Sequence, residues 1–275
     1  SSNHAKAEIS SDSIVVYCED ALFLSAKKHD CAAQLVLLDG EGDWFERYSG
    51  AHLDSLAACL DSMDAVMVHD PRAAALASLL TRQSVFWLGL PFKGDLGCNR
   101  TGTLRHGERP RILMFHGNEP AFPERRALET ALAESIPGVE VEKADISKVK
   151  NEAGAACAMM LDKRLRYGSE IMALAAAGIP CVGSRTLAAQ ELLFPSLAVD
   201  VALELERAQR LLAALCFGRA KRALAVEQAS ARLAESLSPA AVRRRFGDIL
   251  SCSKEGHGSA GNALSPADNA MAQVF

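Results

Sequence analysis

The chain has 275 residues, of which 49 % are hydrophobic, 23 % charged and 5 % aromatic, and this length suits about two domains of roughly 150 residues. The formal net charge of −4 gives no overall positive field to hold DNA or RNA, so a dedicated nucleic-acid-binding protein is not expected. No apolar run approaches the ~20 residues of a bilayer span and no signal-peptide pattern opens the sequence, so we expect a cytoplasmic protein without a transmembrane segment.

The first half of the chain alternates short β-branched runs with longer Ala- and Leu-rich stretches. This pattern is typical of an α/β protein with a mostly parallel sheet. The predicted strands are 14–17, 34–38, 65–69 and 85–88, and the predicted helices are 52–60 and 72–80. A stretch rich in Gly, Arg and Asn, residues 93–111, follows neither period and is predicted as a linker.

The second half repeats the pattern. The predicted strands are 112–115, 139–143, 156–161, 181–183 and 197–199, and the predicted helices are 124–135, 170–177 and 187–193. Gly178 and Pro180 end the second of these helices in the usual order. Residues 202–250 are predicted to be helical almost throughout, with a break at Ser238-Pro239.

These elements predict two Rossmann-like lobes with a crevice between them. The N-terminal lobe is short, whereas the C-terminal lobe is complete and closed by helices. The predicted boundaries are 1–95 for the first lobe, 96–110 for the linker, 111–251 for the second lobe and 252–275 for a disordered tail.

The sequence disfavours a metal site. Its eight cysteines contain no Cys-x-x-Cys pair, and its histidines are not clustered. We expect the cysteines to be buried free thiols in a reducing compartment. No Gly-x-Ser-x-Gly, Walker A or His-Glu-x-x-His motif occurs. No cofactor is therefore expected.

The most informative stretch runs from Leu161 to Ser184. Ligands of open parallel sheets bind at the carboxyl ends of strands, and here a strand end is followed by cations and then by a predicted helix start capped by Ser169. Such a helix start beside Lys and Arg side chains is suited to phosphate or diphosphate. The alternative is a solvated loop and a simple helix cap. The candidate anion-binding residues are Lys163, Arg164, Arg166, Gly168, Ser169 and Glu170.

Other candidate sites are weaker. In the loop after strand 112–115, Gly117 permits close approach of a ligand to the backbone and Asn118 supplies hydrogen bonds, although the loop also fits a plain turn. His69 and Asp70 end a first-lobe strand, where they could act as a catalytic base or simply cap the next helix. Two basic clusters could contact anionic lipid or be ordinary solvated helix faces. These clusters are Arg219, Lys221 and Arg222, and Arg243, Arg244 and Arg245.

The block AAAGIPCVGSRTLAAQELL resembles the donor-site block of group 1 glycosyltransferases of the GT-B fold (family 4-like). Residues 176–180 match its Ala-Ala-Gly-x-Pro core, Ser184 matches its serine and Glu191 its later glutamate. The closing segment LSPAAVRRRFGDIL is also similar to the family's last helices, and the resemblance covers roughly residues 60–250. Two departures stand out: the family's usual donor-site glutamates fall at Arg166 and Ala173, and Glu170 lies where many members carry lysine.

The resemblance implies a metal-independent, hexosyltransferase-type enzyme that moves a sugar from a nucleoside diphosphate to a glycan or other acceptor. The loop with Gly117 and Asn118 would lie near the diphosphate, the cations of 163–166 would compensate its charge, and Glu191 would lie near the ribose or the sugar. A catalytically degenerate binding or scaffold subunit is the main alternative, and a nucleotide-sugar epimerase is a third. Peripheral membrane contact is also compatible with the sequence.

Overall fold

The structure is a computed structural model. It describes residues 11–18, 31–38, 51–92, 109–115, 130–144, 149, 154–162, 167–200 and 203–255. The chain divides into two compact units, one formed by the chain up to Leu90 together with the chain from Val242 onward, and the other running from Pro91 to Ala241.

The first unit is built on a four-stranded parallel sheet in the order β1-β2-β3-β4. Its strands are β1 (Ile14–Cys18), β2 (Ala33–Leu38), β3 (Ala65–Val68) and β4 (Val85–Trp87), and its helices are α1 (Ala51–Asp61) and α2 (Pro71–Leu80). The sequence predicts each of these elements within one or two residues.

The second unit is built on a five-stranded parallel sheet in the order β6-β5-β7-β8-β9. Its strands are β5 (Arg111–Met114), β6 (Glu140–Lys143), β7 (Ala155–Met160), β8 (Cys181–Ser184) and β9 (Ala198–Val199). The helices that follow are α3 (Ser169–Ala176), α4 (Ala188–Leu193), α5 (Leu205–Phe217), α6 (Arg219–Leu237) and α7 (Pro239–Glu255). Residues 130–134 are also helical. No helix in the described ranges combines the length and apolarity of a bilayer span.

Both faces of the first sheet are covered by helices. Its strand order does not reverse, so right-handed crossovers place α1 and α2 on one face, where Leu56 and Ala77 pack against Val66. Side chains alternate along a strand, and Met67 therefore points to the other face. On that face Met67 packs in one cluster with Val242 of α7.

The helical C-terminal region differs from its prediction in three ways. A second break occurs at Gly218, where an added Cβ would lie 2.5 Å from the Ala214 carbonyl oxygen. Helix α7 continues to Glu255, so residues 252–255, predicted as tail, are helical. Residues from Val242 onward belong to the first unit, although the sequence places 111–251 in one lobe. The spacing of apolar residues in α7 predicts one buried helix face. It does not determine which of the two sheets that face packs against.

The second sheet reverses its order at β5 and β7. Strand β6 lies on one side of β5 and β7 on the other, with Ile112 opposite Cys157 and Met114 opposite Met159. In an open parallel sheet this reversal marks the position, outside the carboxyl ends of the two strands, where ligands bind. The carboxyl ends of β5 and β7 are therefore where a ligand site is expected.

Candidate functional site

The segment after β7 is tied down where it begins. Asp162 is buried, and its backbone N–H donates to Ser184 Oγ at the end of β8 over 2.6 Å. The hydroxyl of Thr186 donates to the Asp162 carbonyl oxygen. Both bonds hold Asp162 against the end of β8 and the residues just after it.

The same loop is tied down where it ends. The Ala189 N–H donates to the Tyr167 carbonyl oxygen over 2.8 Å. Gly168 has φ +73, and a Cβ at this position would lie 3.1 Å from the Leu187 Cβ, so glycine suits both the left-handed backbone and the close packing. Residues 162 and 167–168 are thus both held by the segment 184–189. The cations between them, Lys163, Arg164 and Arg166, lie outside the described residues.

Helix α3 begins differently from the prediction. Ser169, predicted as its N-cap, is instead the first helical residue and is exposed, while Gly168 is the N-cap in left-handed conformation. In the described part of the chain no side chain caps this helix start. Glu170 lies in the first turn, where the helix dipole favours a negative charge. Backbone N–H groups at a helix start without a side-chain cap are donors suited to an anion.

Ser184 is fully buried, and its hydroxyl holds Asp162 as described above. It therefore holds Asp162, the residue before Lys163, rather than presenting a hydroxyl to solvent. Such a role follows from its place at the end of β8, beside the end of β7 in the sheet.

Glu191 belongs to a partly exposed charge cluster. Its carboxylate lies 3.5 Å from the Arg185 guanidinium, which in turn lies 3.6 Å from Glu204. The Asp200 N–H and Arg207 both donate to Glu204 and lower the pKa of its carboxyl group. The sequence gives no signal for Arg185 and Glu204, because the contact between residues 19 positions apart depends on how β8 and the start of α5 come together.

A buried amide joins the start of β8 to the end of α4. Gln190 of α4 is fully buried, and its Nε2 donates to the carbonyl oxygens of Cys181 over 2.9 Å and Phe194 over 3.3 Å. Its side chain occupies the space beside Gly183, where an added Cβ would lie 2.7 Å from the Gln190 Cδ. Only glycine at 183 leaves room for this amide.

The loop after β5 contains Gly117 and Asn118, which lie outside the described residues. The strand before it is firmly paired, because the Phe115 N–H donates to the Met159 carbonyl oxygen over 3.0 Å. The loop therefore leaves the sheet beside the end of β7.

The first-unit candidates His69 and Asp70 have different surroundings. Asp70 is buried and caps α2, accepting from the Arg72 N–H over 2.9 Å and forming a 2.7 Å ion pair with its guanidinium. His69 Nδ1 lies 3.0 Å from the Gly89 carbonyl oxygen. A carbonyl oxygen only accepts, so Nδ1 is the donor in this hydrogen bond.

The described residues hold no group of three or more His, Cys, Asp or Glu side chains positioned to bind a metal. Cys157 donates to the Cys216 sulfur, and this bond and burial raise the pKa of the Cys157 thiol. Burial likewise raises the pKa of Cys181. These thiols are core atoms, as expected, whereas Cys18 is exposed and corrects that expectation.

No family model and no curated protein matches the chain. Among solved structures it is similar to a sucrose-phosphate synthase from Thermosynechococcus elongatus, with a TM-score of 0.60, 12 % identity and coverage of 87 % of this chain and 73 % of that one. It is also similar to HepE from Anabaena in complex with UDP and glucose, with a TM-score of 0.60, 13 % identity and coverage of 80 % and 72 %.

A third similar structure is a UDP-forming α,α-trehalose-phosphate synthase from Burkholderia xenovorans, with a TM-score of 0.59, 12 % identity and coverage of 88 % of this chain and 74 % of that one. At identities this low, the structural similarity establishes the fold alone. The chain has the GT-B fold of two Rossmann-like α/β units, which confirms the fold implied by the sequence resemblance.

Proposed function

We propose that the chain is a glycosyltransferase that binds a nucleoside diphosphate sugar on its second unit and transfers the sugar to a glycan or other acceptor without a bound metal. The order of the second sheet carries this proposal. The two loops that hold Gly117-Asn118 and the cations 163–166 begin at the ends of β5 and β7, the strands where the order reverses. The UDP and glucose in the HepE complex support a donor of this class.

The charge of this region fits a diphosphate. Three of the four residues 163–166 are cationic, and the loop leads directly into the start of α3. Cations and oriented N–H groups stabilise the negative charge that develops on a departing diphosphate. Chemistry of this kind needs no metal ion.

The direct test is isothermal titration of the full chain with UDP, GDP and their glucose conjugates. Binding of one nucleotide in the micromolar to submillimolar range is expected, with weaker binding of the corresponding monophosphate. Absence of heat at millimolar ligand with a folded sample would refute the proposal.

A catalytically degenerate binding subunit is the alternative. It is suggested by Ala173, which stands in α3 where the resembled family carries a glutamate. This alternative predicts donor binding with no transfer and no hydrolysis. Release of the free nucleoside diphosphate from a bound donor, measured with and without candidate acceptors, separates the two functions.

Thr186→Val is expected to raise the Kd of the donor about fivefold to tenfold, because the loss of one hydrogen bond of about 1 kcal/mol frees the start of the cationic loop. The valine keeps the shape of the side chain, so the melting temperature should fall only slightly. Titration with UDP measures the change. The control is Thr81→Val, which removes a 2.7 Å hydroxyl bond to Asp61 and the acceptor of the Gln83 N–H in the first unit. Equal effects of the two variants on affinity would contradict the positioning role of Thr186.

We also propose that His69, rather than Asp70, is the acceptor-side base. The Asp70 carboxylate is buried and committed to capping α2 and pairing with Arg72, whereas the His69 ring is half-buried and is oriented by the hydrogen bond from Nδ1 to the Gly89 carbonyl oxygen. His69→Gln is expected to lower kcat about a hundredfold or more.

Asp70→Ala serves as the comparison. It is expected to lower the free energy of unfolding by about 2 kcal/mol through loss of the helix cap and ion pair. Urea unfolding and product release separate the two effects. A His69→Gln enzyme with unchanged kcat would remove the histidine from the mechanism.

A further inference from the structure

Exposed apolar and cationic side chains lie close together in the sequence where α5 meets α6. Phe217 is 61 % exposed and Leu224 is 54 % exposed. Arg219 and Lys221 between them are exposed as well. We call these four residues the junction surface. Lys221 and Leu224 are three positions apart on one helix and therefore share a face.

The turn that presents this surface is tightly built. Gly218 alone joins the two helices, and an added Cβ there would lie 2.5 Å from the Ala214 carbonyl oxygen. The Arg222 guanidinium donates to the carbonyl oxygens of Leu215 over 2.6 Å and Cys216 over 2.8 Å. These bonds satisfy carbonyl groups that the end of α5 would otherwise expose. Phe217 is thus exposed beside a well-bonded turn rather than at a frayed helix end.

The sequence that contains the junction surface is strongly positive although the whole chain is negative. Residues 207–226 contain no Asp or Glu, and they include five cations, Arg207, Arg210, Arg219, Lys221 and Arg222. The first two are paired with Glu204 and Glu206 at the start of α5.

Glu206 is about 16 Å along the helix from Phe217, which exceeds the Debye length of about 8 Å at physiological salt. Within the described ranges, Arg219 and Lys221 have no ion-pair partner. The nearest acid downstream is Glu227, one turn beyond Leu224.

Folding does not account for these cations. They lie in the first turn of α6, where the helix dipole disfavours positive charge, and this turn contains no acidic residue. Nor does the core account for Phe217 and Leu224, because both side chains are more than half exposed. The junction surface thus combines cations at a helix start with exposed large apolar side chains. Both features are unfavourable for stability, and such departures are typical of a binding surface.

We propose that the junction surface docks the protein on an anionic lipid bilayer. Cations attract the negative headgroups, and an exposed Phe and Leu beside them insert at the boundary with the acyl chains. Two apolar side chains are too few for the core of a stable protein interface, and a soluble anion would not need them. The inference does not depend on the proposed sugar transfer, since none of the four residues belongs to the proposed donor site.

Sedimentation of the full chain with vesicles tests the proposal. Vesicles of phosphatidylcholine with 30 % phosphatidylglycerol, a composition chosen for the assay, are expected to bind the protein, and pure phosphatidylcholine to bind it far less. Arg219→Gln with Lys221→Gln should weaken binding about thirtyfold, since each cation near such a surface adds about fivefold. Phe217→Ser with Leu224→Ser should weaken it about tenfold or more.

Matched controls are available in the first unit. Arg243→Gln with Arg244→Gln removes two exposed cations of α7, and Leu79→Ser removes a leucine that is 80 % exposed. Neither control should change vesicle binding. Phe217→Trp should retain binding and report a blue-shifted fluorescence on anionic vesicles only. Because all altered side chains are exposed, melting temperatures should stay within a few degrees.

Three results would each overturn the proposal. The first is equal sedimentation of the wild type with neutral and anionic vesicles. The second is an effect of the Arg219 and Lys221 changes no larger than that of the Arg243 and Arg244 changes. The third is full binding after loss of Phe217 and Leu224, which would identify a purely electrostatic surface for a nucleic acid or an acidic protein. Titration with UDP on the same samples tests donor binding separately.

Discussion

Gly183→Ala is expected to lower the free energy of unfolding by about 2 to 4 kcal/mol. The new methyl group would lie 2.7 Å from Cδ of Gln190, a fully buried side chain. Gln190 is held by bonds to the carbonyl oxygens of Cys181 and Phe194, so it moves away only by losing them. Loss of buried hydrogen bonds and overpacking both raise the free energy of the native state.

Urea unfolding of the full chain measures this effect, and the chain offers a matched control. Gly247 lies in α7 with nothing within 4 Å of an added Cβ. Gly247→Ala should therefore stabilise the protein by about 0.5 to 1 kcal/mol through helix propensity. Gly183→Ala combined with Gln190→Ala should cost less than the sum of the single changes. Equal stability of the two glycine variants would show that Gln190 does not occupy the space beside Gly183.

Arg166→Ala is expected to raise the Kd of UDP about tenfold to a hundredfold, because a hydrogen bond between charged groups contributes about 1.5 to 3 kcal/mol. Arg166 lies outside the described residues, and its neighbours at 162 and 167–168 are held by the segment 184–189. Isothermal titration measures the change.

The control is Arg210→Ala, which removes an arginine of α5 that is 74 % exposed and 4.0 Å from Glu206. This variant should bind UDP as the wild type does. Uridine, which has no phosphate, should bind the wild type and Arg166→Ala equally. An equal loss for uridine and UDP would place Arg166 at the base or ribose instead of the diphosphate.

Local patterns were enough to predict most elements of both units. Short β-branched runs predict each described strand of the first unit, because those strands are short, apolar and bounded by turn residues. The patterns failed where two residues compete for one role. Ser169 is a good cap by type, yet Gly168 takes that position because only glycine combines a φ of +73 with the close contact to Leu187. The sequence pattern does not predict the helix break at Gly218, because the helical period of apolar residues continues through it.

The α/β class, the order of the elements and the cations at 163–166 follow from local sequence, since propensity and periodicity act over a few residues. The pairing order of parallel strands is not local. This order depends on which strands bury their apolar faces best. It brings the ends of β5 and β7 together and places the Ser184 hydroxyl next to the Asp162 N–H. It also places Arg185 between Glu191 and Glu204. Likewise, the apolar stripe of α7 is visible in the sequence, whereas its packing against the first sheet follows from the face of that sheet left uncovered by α1 and α2.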